Sequence, residues 1–482
     1  MRTRNSYPFI LLQLICFFTV IALSGCSLSS NQADTGKLNI ILILADDLGY
    51  GDLSCYGQEI LNTPNIDQMA SEGVMFTNHY TGCTVCAPSR ASLLTGLHTG
   101  HVSVRGNRPE MTLYDEEITL GEIMKQAGYV TGAIGKWGVG SPPPVNDPKR
   151  NGFDFFYGYI NMWHAHNFYP EFLYRNGIKE NLPGNQMLLI DGQNPWADQP
   201  EGTGVAEKKV TYVHDLFDKE ALDFILANRD TSFFLYLAYN VPHANNEAGR
   251  MFKDGMEVPE YGEFSDKEWP NPEKGFASMI RNLDNSVGMI HSQLKELGLT
   301  DNTLVIFVSD NGPHEEGNHK VDFFNSNGYL RGKKRDLYEG GIKTPFIAKW
   351  PQKIEAGTTS EHLSCFWDFL PSFCELAGVQ IPGNSDGISF VAAMTGNEEA
   401  QEKHPYLYWE FYEAGGKQAV RKGDWKGVRL DVSQGDSYFE LYDLSTDPSE
   451  ELNIADQHPE IVRDMLKIMK ESHTEIPAIS LY

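Results

Sequence analysis

Cysteine is scarce in this chain, with seven in 482 residues. That excludes a disulfide-dense scaffold, and a chain of this length can build a large core without one. A disulfide among Cys55, Cys83, Cys365 and Cys374 is allowed, but spacing alone does not decide the pairing. Positive charge is also short: 39 Lys and Arg stand against 65 Asp and Glu, a formal net charge of −26. Such a balance excludes nucleic acid as a partner and disfavours long-range steering of anionic ligands. An anionic substrate would need a locally positive pocket inside an acidic shell. Past residue 26 no apolar run is long enough to span a bilayer. The hydrophobic content of 41% is that of an ordinary globular protein.

What is present begins with a leader. Arg2 and Arg4 precede an apolar stretch at residues 9–23, interrupted by Gln13, which reads as a signal segment. It ends in Leu23-Ser24-Gly25-Cys26, which resembles a bacterial lipobox. The resemblance implies cleavage before Cys26, its lipidation, and export. The mature protein is then lipid-anchored in the periplasm, outer membrane or cell surface of a bacterium. The alternative is an ordinary cleaved signal peptide. Residues 1–26 are thus read as leader and 27–36 as a polar, flexible tether. Residues 37–390 are read as one large domain and 391–482 as a smaller C-terminal subdomain.

Four continuous apolar runs, at 38–45, 130–134, 233–239 and 304–308, read as strands buried on both faces. Helical patterns at 119–127, 215–227 and 276–297 separate them. This alternation predicts an α/β fold: a large, mostly parallel sheet sandwiched by helices. After about residue 390, short aromatic strands separated by Gly415-Gly416 and Lys422-Gly423-Asp424 predict a small antiparallel sheet, with a last helix at 459–471.

Ligands of parallel sheets bind at the carboxyl ends of the strands, and all four runs end in polar residues. The first is followed by Asp46-Asp47, the second by Lys136, the third by His243 and the fourth by Asp310-Asn311. Three carboxylates brought together repel, by roughly 4 kcal/mol per pair at about 4 Å and an effective dielectric of ~20. A cation offsets this. An all-oxygen set of Asp46, Asp47, Asp310 and Asn311 suits Ca²⁺ ahead of Mg²⁺.

Cys86-Ala87-Pro88-Ser89-Arg90, continuing through Ala91-Ser92-Leu93-Leu94-Thr95-Gly96, reads as the start of a helix. Pro88 fits its first turn and Gly96 ends it. Cys86 then lies at a helix N-terminus, which favours negative charge, with Arg90 one turn in. A buried, inert cysteine is the plain alternative. Cys83 and Cys86 also have C-x-x-C spacing, but the proline and arginine that follow do not make a redox context.

This stretch resembles the sulfatase signature, whose leading cysteine is oxidised to formylglycine by a maturase. The chain is identified on it as resembling the formylglycine-dependent, arylsulfatase-like family of the alkaline phosphatase superfamily. Leu330-Arg331-Gly332-Lys333-Lys334 through Glu339-Gly340-Gly341 resembles a second block of that family, and Glu440-Leu441-Tyr442-Asp443-Leu444 its C-terminal region. The resemblance implies Ca²⁺ at Asp46, Asp47, Asp310 and Asn311, beside residue 86. It implies catalytic roles for Cys86 and Arg90, sulfate contacts from Lys136 and Lys334, and His243 facing the leaving group. In the implied mechanism, one hydroxyl of the hydrated aldehyde attacks sulfur and the other later expels sulfate. Many members read Gly-Lys-Trp-His where this chain has Gly138. His314 is the first candidate to replace that histidine, with a plain turn residue as the equal alternative.

The implied substrate is a sulfated carbohydrate. His164, His166, Arg105, Asn107 and Arg175 are candidate sugar contacts, with Glu410 and Arg421 near the mouth. Two other readings stay open: a phosphonate or phosphodiester hydrolase of the same superfamily, and a non-catalytic binder of sulfated glycans with Cys86 unmodified.

Overall fold

The computed structural model describes residues 37–108, 110–140, 147–435, 437–477 and 479–481. The expected leader with Cys26, and the tether to residue 36, lie outside the described residues. No helix among the described residues is long and apolar enough to cross a membrane.

A strand covered on both faces must be apolar at nearly every position, and the run at 38–45 becomes such a strand, β1 (Asn39–Ala45), every residue buried. It sits in a ten-stranded sheet with β2 (Val74–Phe76), β3 (Val130–Lys136), β4 (Phe155–Tyr159), β5 (Phe172–Arg175), β6 (Ile178–Asn181), β7 (Phe233–Ala238), β8 (Thr303–Ser309), β9 (Phe346–Lys349) and β10 (Thr358–Ser360). The order across the sheet is β10-β2-β9-β8-β1-β7-β3-β4-β5-β6. Strands β8, β1, β7, β3 and β4 are mutually parallel. Their antiparallel neighbours are β9 and β5.

The longer helices are α1 (Pro64–Ser71), α2 (Cys86–Thr95), α3 (Leu120–Gln126), α4 (Val213–Ala227), α5 (Asn246–Phe252), α6 (Asn271–Glu296) and α7 (Phe369–Ala377). Side chains alternate across β1. Ile40, Leu42 and Leu44 pack with Leu93 of α2, Ile123 of α3 and Phe373 of α7. Ile41 and Ile43 pack with Met69 of α1, Phe217 of α4 and Leu283 of α6. Each such aliphatic side chain contributes roughly 1.5–3 kcal/mol on burial, so both layers hold the sheet. Helix α6 begins five residues before the apolar pattern at 276 predicts. Pro272 and Glu273 occupy its first turn, where both are favoured and no apolar periodicity is visible.

The C-terminal region forms the expected antiparallel sheet, β11 (Leu407–Phe411), β12 (Lys417–Lys422), β13 (Trp425–Leu430) and β14 (Tyr438–Asp443), paired in that order. Helix α8 (Pro459–Glu471) covers one face through Met465, Ile468 and Met469. The other face sets Trp409, Phe411 and Val428 against Tyr80, Val85 and Trp367. Trp409 also donates its indole N–H to the Thr81 carbonyl at 2.8 Å. The small sheet therefore buttresses the backbone that enters α2, and so the placement of Cys86. No disulfide forms among the described residues: Cys55, Cys83, Cys86, Cys365 and Cys374 are all free.

Candidate active site

The parallel strands deliver their polar termini to one edge. Asp47, just after β1, adopts a left-handed φ of 67° that aspartate tolerates. Its backbone N–H donates to Asp310 Oδ1 at 3.0 Å, and Asn311 Nδ2 donates to Asp47 Oδ1 at 2.7 Å. These bonds stitch the end of β1 to the end of β8. Lys136, the last residue of β3, donates to Asp46 Oδ2 at 2.7 Å. Lys334 donates to Asp47 Oδ2 at 2.7 Å, to Glu316 at 3.0 Å and to His243 Nε2 at 3.2 Å.

Helix α2 enters this cluster from its N-terminus. Cys86 is its first residue and is 2% exposed. Asn107 faces the thiol, with Nδ2 3.4 Å from Sγ, while its Oδ1 accepts the Ala87 N–H at 3.0 Å. Ser89 donates to the Asp310 carbonyl at 2.5 Å. Arg90 is wholly buried and ties three elements together. Its Nε and Nη2 each lie 2.8 Å from Asp310 Oδ2, and its Nη1 donates to the Lys136 carbonyl at 2.5 Å. These bonds make Arg90 a clamp between α2, β8 and β3.

Charge is concentrated here in a medium that resists it. Burial raises the Asp46 pKa, but Lys136 and Arg90 outweigh it and hold the carboxyl well below its ordinary value. Burial and the neighbouring Asp46 charge push Asp310 up to about 7. Burial works against the charged form of Lys334, yet Asp47 and Glu316 keep its pKa raised. Burial and the Lys334 charge push His243 down to about 3. His243 is thus a neutral imidazole, donating Nδ1–H to the Ala244 carbonyl at 2.7 Å and presenting Nε2 to Lys334. Burial raises the Cys86 thiol, with Lys136 opposing. A cysteine nucleophile needs the reverse shift, so an unmodified thiol is poorly suited to attack here.

The residues fit a divalent cation. Asp46, Asp47 and His243 bring ligand atoms within 4.8 Å of one another. Asp46 Oδ1 and Asn311 Oδ1 are buried acceptors with no hydrogen-bond partner, a costly state that a cation relieves. Asp310 belongs to the same knot, but its two oxygens accept from Asp47 N–H and Arg90.

The sugar-contact candidates divide. His166 joins the site: its ring stacks on His243 with centroids 4.9 Å apart at 15°. His164 is enclosed between Tyr159 and Phe172 instead. Arg105 is fully buried and spends its donors on the carbonyls of Val102, Gly100 and Thr474 and on Tyr412. Arg175 pairs with Glu180 and Glu220 over the Tyr157 ring. Neither arginine is brought to the sheet edge that holds Cys86. Asn107 reaches Cys86 rather than an outer sugar position. Glu410 is buried among Tyr408, Tyr412 and His473, and Arg421 packs on Tyr80 beside Glu339. His314 uses both ring nitrogens on backbone, toward the Pro242 carbonyl and the Glu316 N–H. That occupies the atoms a replacement base at Gly138 would need. Glu316 escapes sequence reading, its only signal being an acid in the loop after β8. A cavity of about 590 Å³ opens at the opposite end of α2, by Thr95, His101 and Asp386, away from Cys86.

Residues 38–379 match the sulfatase family, and residues 329–475 match the C-terminal region of N-sulphoglucosamine sulphohydrolase. N-acetylgalactosamine-6-sulfatase of Canis lupus familiaris is 34% identical over 383 residues, with 75% of this chain and 66% of that protein covered. N-acetylgalactosamine-6-O-sulfatase of Bacteroides thetaiotaomicron is 28% identical over 519 residues, covering 94% of this chain and 97% of that protein. Among solved structures, Ps i-CgsB in complex with k-i-k-neocarrahexaose is similar at a TM-score of 0.74 and 26% identity, over 90% of this chain and 92% of that one.

Proposed function

Because the chain belongs to the sulfatase family, whose members hydrolyse sulfuric esters, we propose that it removes sulfate from an O-sulfated carbohydrate, using formylglycine made from Cys86 and a bound divalent cation. The observation that carries this reading is the convergence at one sheet edge of Cys86, two buried lysines and two acceptor oxygens without partners. Asp46, Asp47, Asp310 and Asn311 would hold the cation, Ca²⁺ ahead of Mg²⁺ by their all-oxygen chemistry. When bound, the cation supplies Lewis acidity at the sulfuryl group and at the nucleophile. Formylglycine supplies, as its hydrate, two hydroxyls on one carbon, one to attack and one to drive release.

The chain's own groups do the rest. Lys136 and Lys334 stay charged while buried and bind the sulfuryl oxygens as negative charge grows there. Lys334, 3.2 Å from His243 Nε2, forms with it an acid pair that gives the leaving sugar oxygen its proton. Arg90 and Asn107 fix residue 86 from either side. The same proposal includes export, lipid anchoring at Cys26 and a maturase acting on Cys86.

The deciding experiment is a sulfate-release screen on defined sulfated mono- and disaccharides, N-acetylgalactosamine 6-sulfate among the first. An aryl sulfate and an aryl phosphodiester run alongside, with mass analysis of the peptide that contains residue 86. Release from at least one sugar, with formylglycine at 86, is expected. A marked preference for the phosphodiester overturns the assignment. An intact thiol after co-expression with a maturase, with sugar binding and no turnover, makes the protein a binder instead.

A further inference from the structure

Three imidazoles lie in sequence beside the catalytic edge. His166 stacks on His243, and His243 on His314 with centroids 6.0 Å apart at 21°. Two of the three are chemically closed. His314 has both nitrogens on backbone groups. His243 donates through Nδ1 to Ala244, and its Nε2 faces the Lys334 ammonium. His166 is different. Its Nδ1 lies 3.1 Å from Glu247 Oε2, and its Nε2 makes no hydrogen bond to any described residue. Nε2 is also absent from the atoms sealed without a partner, so it reaches accessible space.

Glu247 fixes the meaning of that open atom. An ionised carboxylate only accepts hydrogen bonds, so His166 carries a proton on Nδ1, and in the neutral tautomer that this selects, Nε2 presents a lone pair. Glu247 is itself 5% exposed and held in the first turn of α5, whose cap Asn245 accepts the Ala248 N–H at 3.1 Å. The dyad is therefore rigid and oriented, with its acceptor next to the imidazole that faces the leaving group. A sulfuryl group has no proton to offer such an acceptor. A sugar hydroxyl does.

We infer that His166 and Glu247 form a hydroxyl-reading pair on the leaving-group side, so that the preferred substrate is a sugar sulfate with a free hydroxyl next to the ester. This rests on the sulfatase reading above. His166 accepts a hydrogen bond from the hydroxyl at Nε2, and Glu247 is the positioning residue that sets the tautomer.

The test compares His166→Ala, His166→Gln and Glu247→Gln with the unsubstituted enzyme on three substrates. These are the best sugar sulfate from the screen, its analogue deoxygenated at the neighbouring carbon, and 4-nitrophenyl sulfate. For His166→Ala, the loss in kcat/KM on the sugar sulfate should exceed the loss on the aryl sulfate by about tenfold, the size of one hydrogen bond, and fall mainly on KM. The deoxy analogue should show no such excess. His166→Gln, which restores an acceptor, should recover part of the loss, and Glu247→Gln should resemble His166→Ala in milder form. Equal losses on all three substrates overturn the inference, because the pair would then act by holding His243. If the unsubstituted enzyme releases no sulfate from any substrate, the parent reading falls alone. Calorimetric binding of the same sugars to the Cys86→Ala protein, with and without His166→Ala, then decides the hydroxyl contact.

Discussion

Two of the places where this molecule buries lysine differ sharply in their surroundings. Lys426, on β13 of the small sheet, has no exposed surface and meets Glu339 at 2.8 Å and Glu450 at 3.6 Å. Lys136 and Lys334, at the edge of the large sheet, meet Asp46 and Asp47 at 2.7 Å each. The local bonds are alike. The surroundings are not. Lys426 lies over the Trp409 ring at 5.7 Å, beneath the strands that prop the entry to α2. Unpartnered acceptors occur in both places, Glu450 Oε1 beside Lys426 and Asp46 Oδ1 beside Lys136, but only the edge lysines share their carboxylates with His243 and with the start of α2. A buried ion pair is thus weak evidence of function by itself. Unsatisfied acceptors beside a candidate nucleophile carry the distinction.

That contrast can be broken experimentally. Cys86→Ala should abolish sulfate release, and Cys86→Ser should be nearly as inactive because maturation starts from cysteine; near-normal rates for either would remove the nucleophile assignment. Chelation of divalent cations should remove activity and lower the unfolding midpoint, with Ca²⁺ restoring both through binding to the folded state. Retained activity after exhaustive chelation would dissolve the proposed centre. Lys334→Met should cut kcat by about 10²–10³-fold, as loss of a preorganised charge contact does. In the small sheet, Lys426→Met should cost about 3–5 kcal/mol in denaturant unfolding by leaving Glu339 and Glu450 without their cation. The folded fraction should keep its kcat/KM within about twofold. If Lys426→Met instead disables turnover in folded protein, the two regions are not separable. The smallest effect is expected from Gly138→His. Gly138 has a φ of 74°, and an added Cβ would lie 3.2 Å from Arg90 Cδ. The change should cost about 1–2 kcal/mol of stability and bring no gain in rate.

The apolar runs of β1, β3, β7 and β8 were legible because a doubly covered strand leaves no room for polar positions. Their polar termini could be read with them, since the chain must turn there. That is how Asp46, Asp47, Lys136, His243, Asp310 and Asn311 could be placed at one edge of the sheet. Arg105 and Arg175 look equally suited to an anion in the sequence, yet one is locked to backbone carbonyls and the other to two glutamates. Beyond being acids, Glu316 and Glu247 carried no local signal. One reaches Lys334 from 18 positions away and the other reaches His166 from 81.

The amino-acid order by itself determined the four central strands of the large sheet, the short aromatic strands of the small one, the helix that begins at Cys86 and the acids and bases at the strand ends, because these follow from local periodicity and from what a buried strand excludes. Only the tertiary structure decided which charges are spent on one another and which are left open, as between Arg105 and Lys334, or His314 and His166. Electrostatic pairing depends on distance in space and on the loss of water around both partners, and neither is written in the spacing along the chain.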